Sequence, residues 1–165
     1  MTRRIAGVAG RNERGLTLIE LVCCSAIILI LASVAIPVGK VMIKRKKELE
    51  LRQALREIRL AIDRFQWDAE HNPGMRATKM NATNEEGYPE KLEWLYEGYD
   101  IGDAAGTKVK YLRRLPRDPI TGKKDWATRS SRDRPGSLAT DGINIFDVHS
   151  KSQATALDGT HYADW

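Results

Sequence analysis

Gly15-Leu16-Thr17-Leu18-Ile19-Glu20 opens an apolar run that extends to Gly39 and holds one charged residue, Glu20, before Lys40. Leu18, Ile19, Leu21, Val22, Ile28, Ile30, Val34 and Ile36 recur too often to leave a polar face. A helix that is apolar all round belongs in lipid or deep inside a large core. At 1.5 Å per residue the run reaches roughly 36 Å, enough to cross the hydrocarbon of a bilayer. A chain of 165 residues offers no core able to enclose it. The run reads as a membrane segment. It is too long for a cleaved secretory signal, and it ends in Ile36-Pro37-Val38-Gly39 rather than in a small-x-small site. A plain anchor explains the length but not Glu20. A carboxylate near the end of a membrane helix is costly, which marks it as functional and in need of a partner.

Residues 1–15 form a basic leader, with Arg3, Arg4, Arg11 and Arg14 against Glu13. Positive charge beside a membrane helix favours the cytoplasmic side, so the N-terminus is expected inside. Lys40, Lys44, Arg45, Lys46 and Lys47 oppose that reading by placing more positive charge after the helix than before it. The leader also colours the whole-chain balance of 27 Lys and Arg against 22 Asp and Glu. Without its four arginines and one glutamate the totals become 23 and 21, and +5 falls to +2. A nucleic-acid ligand needs a basic footprint that outlasts the leader. Only Lys40 to Lys47 remains as a dense cluster, and it adjoins the membrane, so no nucleic-acid partner is expected.

The basic leader, Gly15, Leu16-Thr17-Leu18-Ile19-Glu20 and the unbroken apolar helix resemble the processing motif of type IV pilins and type II secretion pseudopilins. The resemblance implies that a prepilin peptidase cuts after Gly15 and that Leu16 becomes an N-methylated terminus. The family more often has Phe at that position. It also implies assembly roles for Glu20, the fifth mature residue, and Pro37, the twenty-second, where such helices bend or locally melt. The charge argument for Glu20 is independent of the resemblance. A new amine in an apolar filament core needs a counter-charge, and a carboxylate one turn along can serve its own or a neighbour's amine. The competing reading is a lone interfacial glutamate on an ordinary anchor.

Beyond Lys40 the apolar face narrows to Leu51, Leu55, Ile58, Ile62 and Phe65, spaced 4, 3, 4, 3, an amphipathic stripe that should face a core. Glu48–Arg52 and Arg59–Asp63 are expected as i,i+4 ion pairs. Glu70-His71-Asn72-Pro73-Gly74 ends the pattern, so residues 17–70 read as one helix, 16–39 in the membrane and 40–70 its amphipathic continuation. Residues 71–125 read as a loop region, mobile around Met75, Met80 and 78–84, with a short helix near Tyr88–Leu95 and a short strand or turn at Val109–Leu112. Residues 126–165 read as a small antiparallel sheet and C-terminal loop, with strands at Trp126–Thr128 and Ile143–Val148. Arg129–Gly136 reads as a loop, Asp141-Gly142 as a turn, and Tyr162 and Trp165 as aromatics tucked onto the sheet. The fold class is α+β, a long helix packed on a small sheet, as in pilins.

Leu115-Pro116-Arg117-Asp118-Pro119, following Tyr88-Pro89 in order, resembles a segment of the major pseudopilin of type II secretion. That resemblance implies calcium in the C-terminal loop, for which Asp147, Ser150, Asp158 and Asp164 are the oxygen donors on offer. Lys151 enters the same loop and no paired aspartates occur. No other cofactor is expected.

Cys23 and Cys24 are the only cysteines. Neighbours on a helix point about 100° apart and do not bridge each other, so they read as small apolar residues. His71, His149 and His161 form no metal spacing, and Ser150 beside His149 lacks a nucleophile-elbow context. A membrane-anchored enzyme is therefore a distant alternative. The expected function is a structural pseudopilus subunit, and the closer alternative is a type IV pilus subunit forming surface fibres. The resemblance implies as partners further copies of the chain, minor pseudopilins, prepilin peptidase, and an inner-membrane platform with its ATPase. It implies a single pass through the bacterial inner membrane, N-terminus cytoplasmic and C-terminal domain periplasmic.

Overall fold

A computed structural model describes residues 15–75, 86–134, 137 and 140–165. The chain divides into two compact units, Met1–Lys40 and Val41–Trp165. Helix α1 runs Leu18–His71, 54 residues, through Pro37. Thr17 caps its start: Glu20 N donates to Thr17 Oγ1 at 3.3 Å and Leu21 N to Thr17 O at 3.0 Å. At the other end Gly74 N turns back to Asn72 Oδ1 at 3.1 Å. A side chain at Gly74 would come within 2.8 Å of Ile101 O, so close backbone approach requires glycine there.

The expected stripe is the inner face of the second unit. Leu51, Leu55, Ile58, Ile62 and Phe65 are all 3% exposed or less. Full burial of each such side chain contributes about 1.5–3 kcal/mol. Phe65 lies in an aromatic cluster with Tyr99 (5.0 Å), Tyr111 (5.4 Å) and Trp94 (6.2 Å). Trp94 comes from the short helix α2, Glu93–Glu97. Trp126, Val148 and Tyr162 close the core from the C-terminal third.

Among the described residues two antiparallel ribbons stand where one sheet was expected. Strands β1 (Tyr99–Asp100) and β2 (Lys108–Val109) pair Tyr99 with Val109. Strand β1 falls in the stretch read as loop, because two residues give no alternation to detect, while β2 overlaps the strand or turn expected at Val109–Leu112 only at Val109. Strands β3 (Ala127–Arg129) and β4 (Asp147–His149) form the expected C-terminal pair, with Thr128 opposite Val148. Ile143–Phe146 precedes the strand rather than forming it. Ile145 N donates to Pro89 O (2.7 Å), a partner outside the ladder. Tyr111 N and Leu112 N likewise both donate to Leu95 O, closing the end of α2 instead of extending β2.

Three further expectations are corrected. Glu48 points inward, not to Arg52: its Oε1 accepts Leu157 N (2.8 Å) and the Tyr162 hydroxyl (2.9 Å). Arg59 turns to Asp147 rather than Asp63. Met75 is 1% exposed and belongs to the core. Met80 and 78–84 lie outside the described residues, as do the leader arginines and part of the Arg129–Gly136 loop.

Candidate functional site

The first turn of α1 places the residues singled out for processing. Leu16 is 70% exposed, and nothing lies within 4 Å of where a Gly15 side chain would be. Among the described residues nothing crowds the bond between them. Thr17 was missed as a functional residue, although Thr17-x-x-Glu20 is the signature of a capping box. The half in which Thr17 Oγ1 accepts the Glu20 amide is present. Glu20 is exposed in the first turn, where a carboxylate is favoured by the positive end of the helix dipole. One side chain thus has a local reason to be acidic and remains open to a second partner.

The apolar part of α1 is long and apolar enough to cross a membrane, and none of it is buried within the chain. Its two serines are satisfied locally. Ser25 Oγ donates to Leu21 O at 2.8 Å and Ser33 Oγ to Ile30 O at 2.7 Å. Such back-bonding removes the cost of a bare hydroxyl in lipid. Pro37 has no N–H, so the Ser33 carbonyl loses its helical donor there. Cys23 and Cys24 are exposed free thiols.

The Leu115–Pro119 segment has a structural explanation. Asp118 is fully buried; its carboxylate accepts Ile120 N (2.7 Å) and the Ser150 hydroxyl (2.7 Å). Pro116 O accepts the Trp126 indole N–H at 3.1 Å. The segment ties the turn before β3 to the chain after β4.

Three of the four oxygen donors offered for calcium are engaged within the chain. Asp147 Oδ1 accepts Arg59 Nε at 2.6 Å and Val148 N at 2.8 Å, and its Oδ2 faces Arg59 Nη2 at 3.3 Å. Ser150 is spent on Asp118 and on Ser152 N. Asp158 accepts from Thr160 N–H and hydroxyl and faces Arg52 at 3.4 Å. Asp164 lies in the 3-10 turn Tyr162–Asp164. Among the described residues no group of three or more His, Cys, Asp or Glu is placed to hold a metal ion.

Arg59, on α1, is the cation that Asp147 meets. Besides Asp147, its Nη2 donates to Val148 O (3.1 Å) and Trp165 O (2.9 Å). Tyr162 and Trp165 pack edge to face at 5.2 Å, with the Arg52 guanidinium 4.3 Å over the Trp165 ring. His149 is buried, and its Nδ1 has no hydrogen-bond partner. Burial, and then the Arg129 guanidinium, hold its imidazole below the usual histidine range. Ser150 bonds Asp118 rather than this histidine, so the adjacent pair forms no nucleophile–base couple.

Residues 10–36 match the family model described as the prokaryotic N-terminal methylation motif. No curated protein and no solved structure matches the chain. Among the described residues one exposed helix is apolar and long enough to span a bilayer, which is consistent with single-pass membrane anchoring. The motif marks structural pilin-type subunits, and its match across Gly15, Leu16 and Glu20 supports a type IV pilin-like family for this chain.

Proposed function

We propose that this chain is a structural subunit of a periplasmic pseudopilus that drives export in a type II secretion system. The precursor is cut after Gly15 by prepilin peptidase and methylated on Leu16. Glu20 then pairs with the new amine of its own or a neighbouring copy, and Pro37 lets the helix yield as subunits leave the membrane. The observation that carries the reading is the methylation motif lying over an open Gly15–Leu16 bond and an exposed Glu20. The anchored Leu115–Pro119 segment, and the absence of cysteine from the soluble unit, favour secretion over a surface pilus. Minor pseudopilins, an inner-membrane platform and a cytoplasmic ATPase supply the other parts, so this chain needs no nucleotide site.

The test is the mass of the N-terminal peptide from protein purified out of its native membrane. A terminus at methylated Leu16 supports the reading. An intact leader in cells with active prepilin peptidase refutes it. Loss of protein export on deleting the gene then separates secretion from loss of surface fibres.

A further inference from the structure

The soluble unit has charged surfaces of opposite sign. Residues 86–103 carry six carboxylates and one lysine, with Glu93 and Glu97 exposed one turn apart on α2. On α1, Arg52 and Arg56 are exposed at the same spacing. They line a cleft of about 520 Å³ with Leu49, Leu55, Arg59 and Trp165. Leu49 is 61% exposed beside them, an apolar surface among the positive charges. Among the described residues, Arg56, Glu93 and Glu97 have no ion-pair partner in their own chain.

We infer that the arginine cleft of one copy receives the acidic α2 of a second copy, Arg56 facing Glu97 across the contact. The inference rests on the homopolymer reading above and names where neighbouring copies touch. Three observations support a second copy as occupant. The signs are complementary, and among the described residues Arg56 and Glu97 each lack an ion-pair partner, so this pair forms without breaking the Arg52–Asp158 pair beside it. The two surfaces also lie at different levels along α1. Trp94 of α2 stacks at Phe65, nine residues beyond Arg56 and thirteen beyond Arg52. At 1.5 Å per residue that separation is about 14–20 Å. Parallel copies displaced by this amount bring α2 of one level with the cleft of the next. A contact between two unlike surfaces leaves one of each free at every step, so it propagates as an open polymer and does not close as a dimer.

The test uses the full chain in its native membrane, with Cys23→Ala and Cys24→Ala removing the native thiols. Arg56→Cys and Glu97→Cys are introduced together and treated with a short bifunctional maleimide, because an Arg–Glu pair holds its Cα atoms farther apart than disulfide geometry allows. A ladder of dimer, trimer and higher multimers is expected, with no ladder from either single variant. Independently, Glu97→Lys should lower filament yield about tenfold, as a like-charge clash at one contact predicts, and adding Arg56→Glu should restore it. Among the described residues neither has an ion pair to lose, so folding is a weak confounder.

Normal filaments with neither ladder nor charge-swap effect would overturn the contact and leave the homopolymer reading standing. Linkage within one chain, or only to other proteins, would also overturn it. Absence of filaments from the unaltered chain would remove both.

Discussion

Replacing Arg59 with Ala tests how the C-terminal loop is held. Arg59 forks onto Asp147 at 2.6 and 3.3 Å and donates to the carbonyls of Val148 and Trp165. Removing one partner of a fully buried pair costs about 3–5 kcal/mol. An exposed pair is worth about 0–1 kcal/mol. The side chains here are 36% and 25% exposed, and Asp147 keeps only the Val148 amide once Arg59 is gone. That intermediate setting gives about 2–3 kcal/mol, or roughly 10 °C in melting temperature for a unit of this size. Near-ultraviolet circular dichroism of the full chain in detergent, followed through heating, reads the change. Arg52→Ala is the control, because the Arg52–Asp158 pair is 55% and 49% exposed. It should cost about 1 kcal/mol or less from the ion pair. Arg59→Lys, which keeps charge but loses the fork, should fall between wild type and Arg59→Ala. An Arg59→Ala midpoint within about 2 °C of wild type would refute the staple.

Glu20→Ala should leave cleavage after Gly15 normal and abolish assembly; efficient filaments from that variant, seen by shearing and electron microscopy, would sink its proposed role. Stability should fall as pH drops from about 7 toward 5. His149 is held below its unfolded value of about 6.5, so over that range the unfolded chain takes up a proton that the folded chain refuses. Its surroundings include Arg129 and Arg59, which oppose the proton, and Asp147 and Asp164, which favour it. His149→Gln should flatten the dependence in melts taken across this range. Millimolar calcium or a chelator should move the melting midpoint by less than about 1 °C, since a ligand stabilises only by binding the folded state; a clear rise with calcium would show that the loop rearranges to hold it. Gly74→Ala should destabilise by about 1–3 kcal/mol in the same melt, because its Cβ meets backbone oxygen at 2.8 and 2.9 Å.

The long helix and its buried stripe were legible because both are local periodic signals, and every stripe position is buried. The processing stretch was legible for a similar reason: Gly15, Leu16 and Glu20 lie within six residues, and the methylation motif spans them. The ion pairs were not. Glu48 and Arg59 lie where the stripe meets the solvent face, and sequence spacing offered them neighbours four residues away. Their actual partners lie 88–114 residues away, where burial strengthens each hydrogen bond beyond what an exposed local pair supplies. The engagement of Asp147 was hidden for a related reason, since it is neutralised by a helix arginine that no spacing rule connects to it. Met75 follows a helix-ending signal and so reads as loop, yet the chain turns at Asn72 and Gly74 and buries it.

The fastening of the C-terminus onto Lys44, Glu48 and Arg59 has a consequence for the order in which the soluble unit forms. Lys44 Nζ reaches Thr155 O across 111 residues, and Glu48 meets Leu157 and Tyr162 across 109 and 114. Contacts of such separation carry a loop-closure cost that local helix contacts avoid, and they slow folding. The Phe65 end can gather first through Trp94, Tyr99 and Tyr111, which follow it within 46 residues. The end at Lys44 and Glu48 is therefore expected to close last. Until it does, Leu51 and Leu55 lack their C-terminal partners, so the newly made chain is expected to be most open to proteolysis before this end closes.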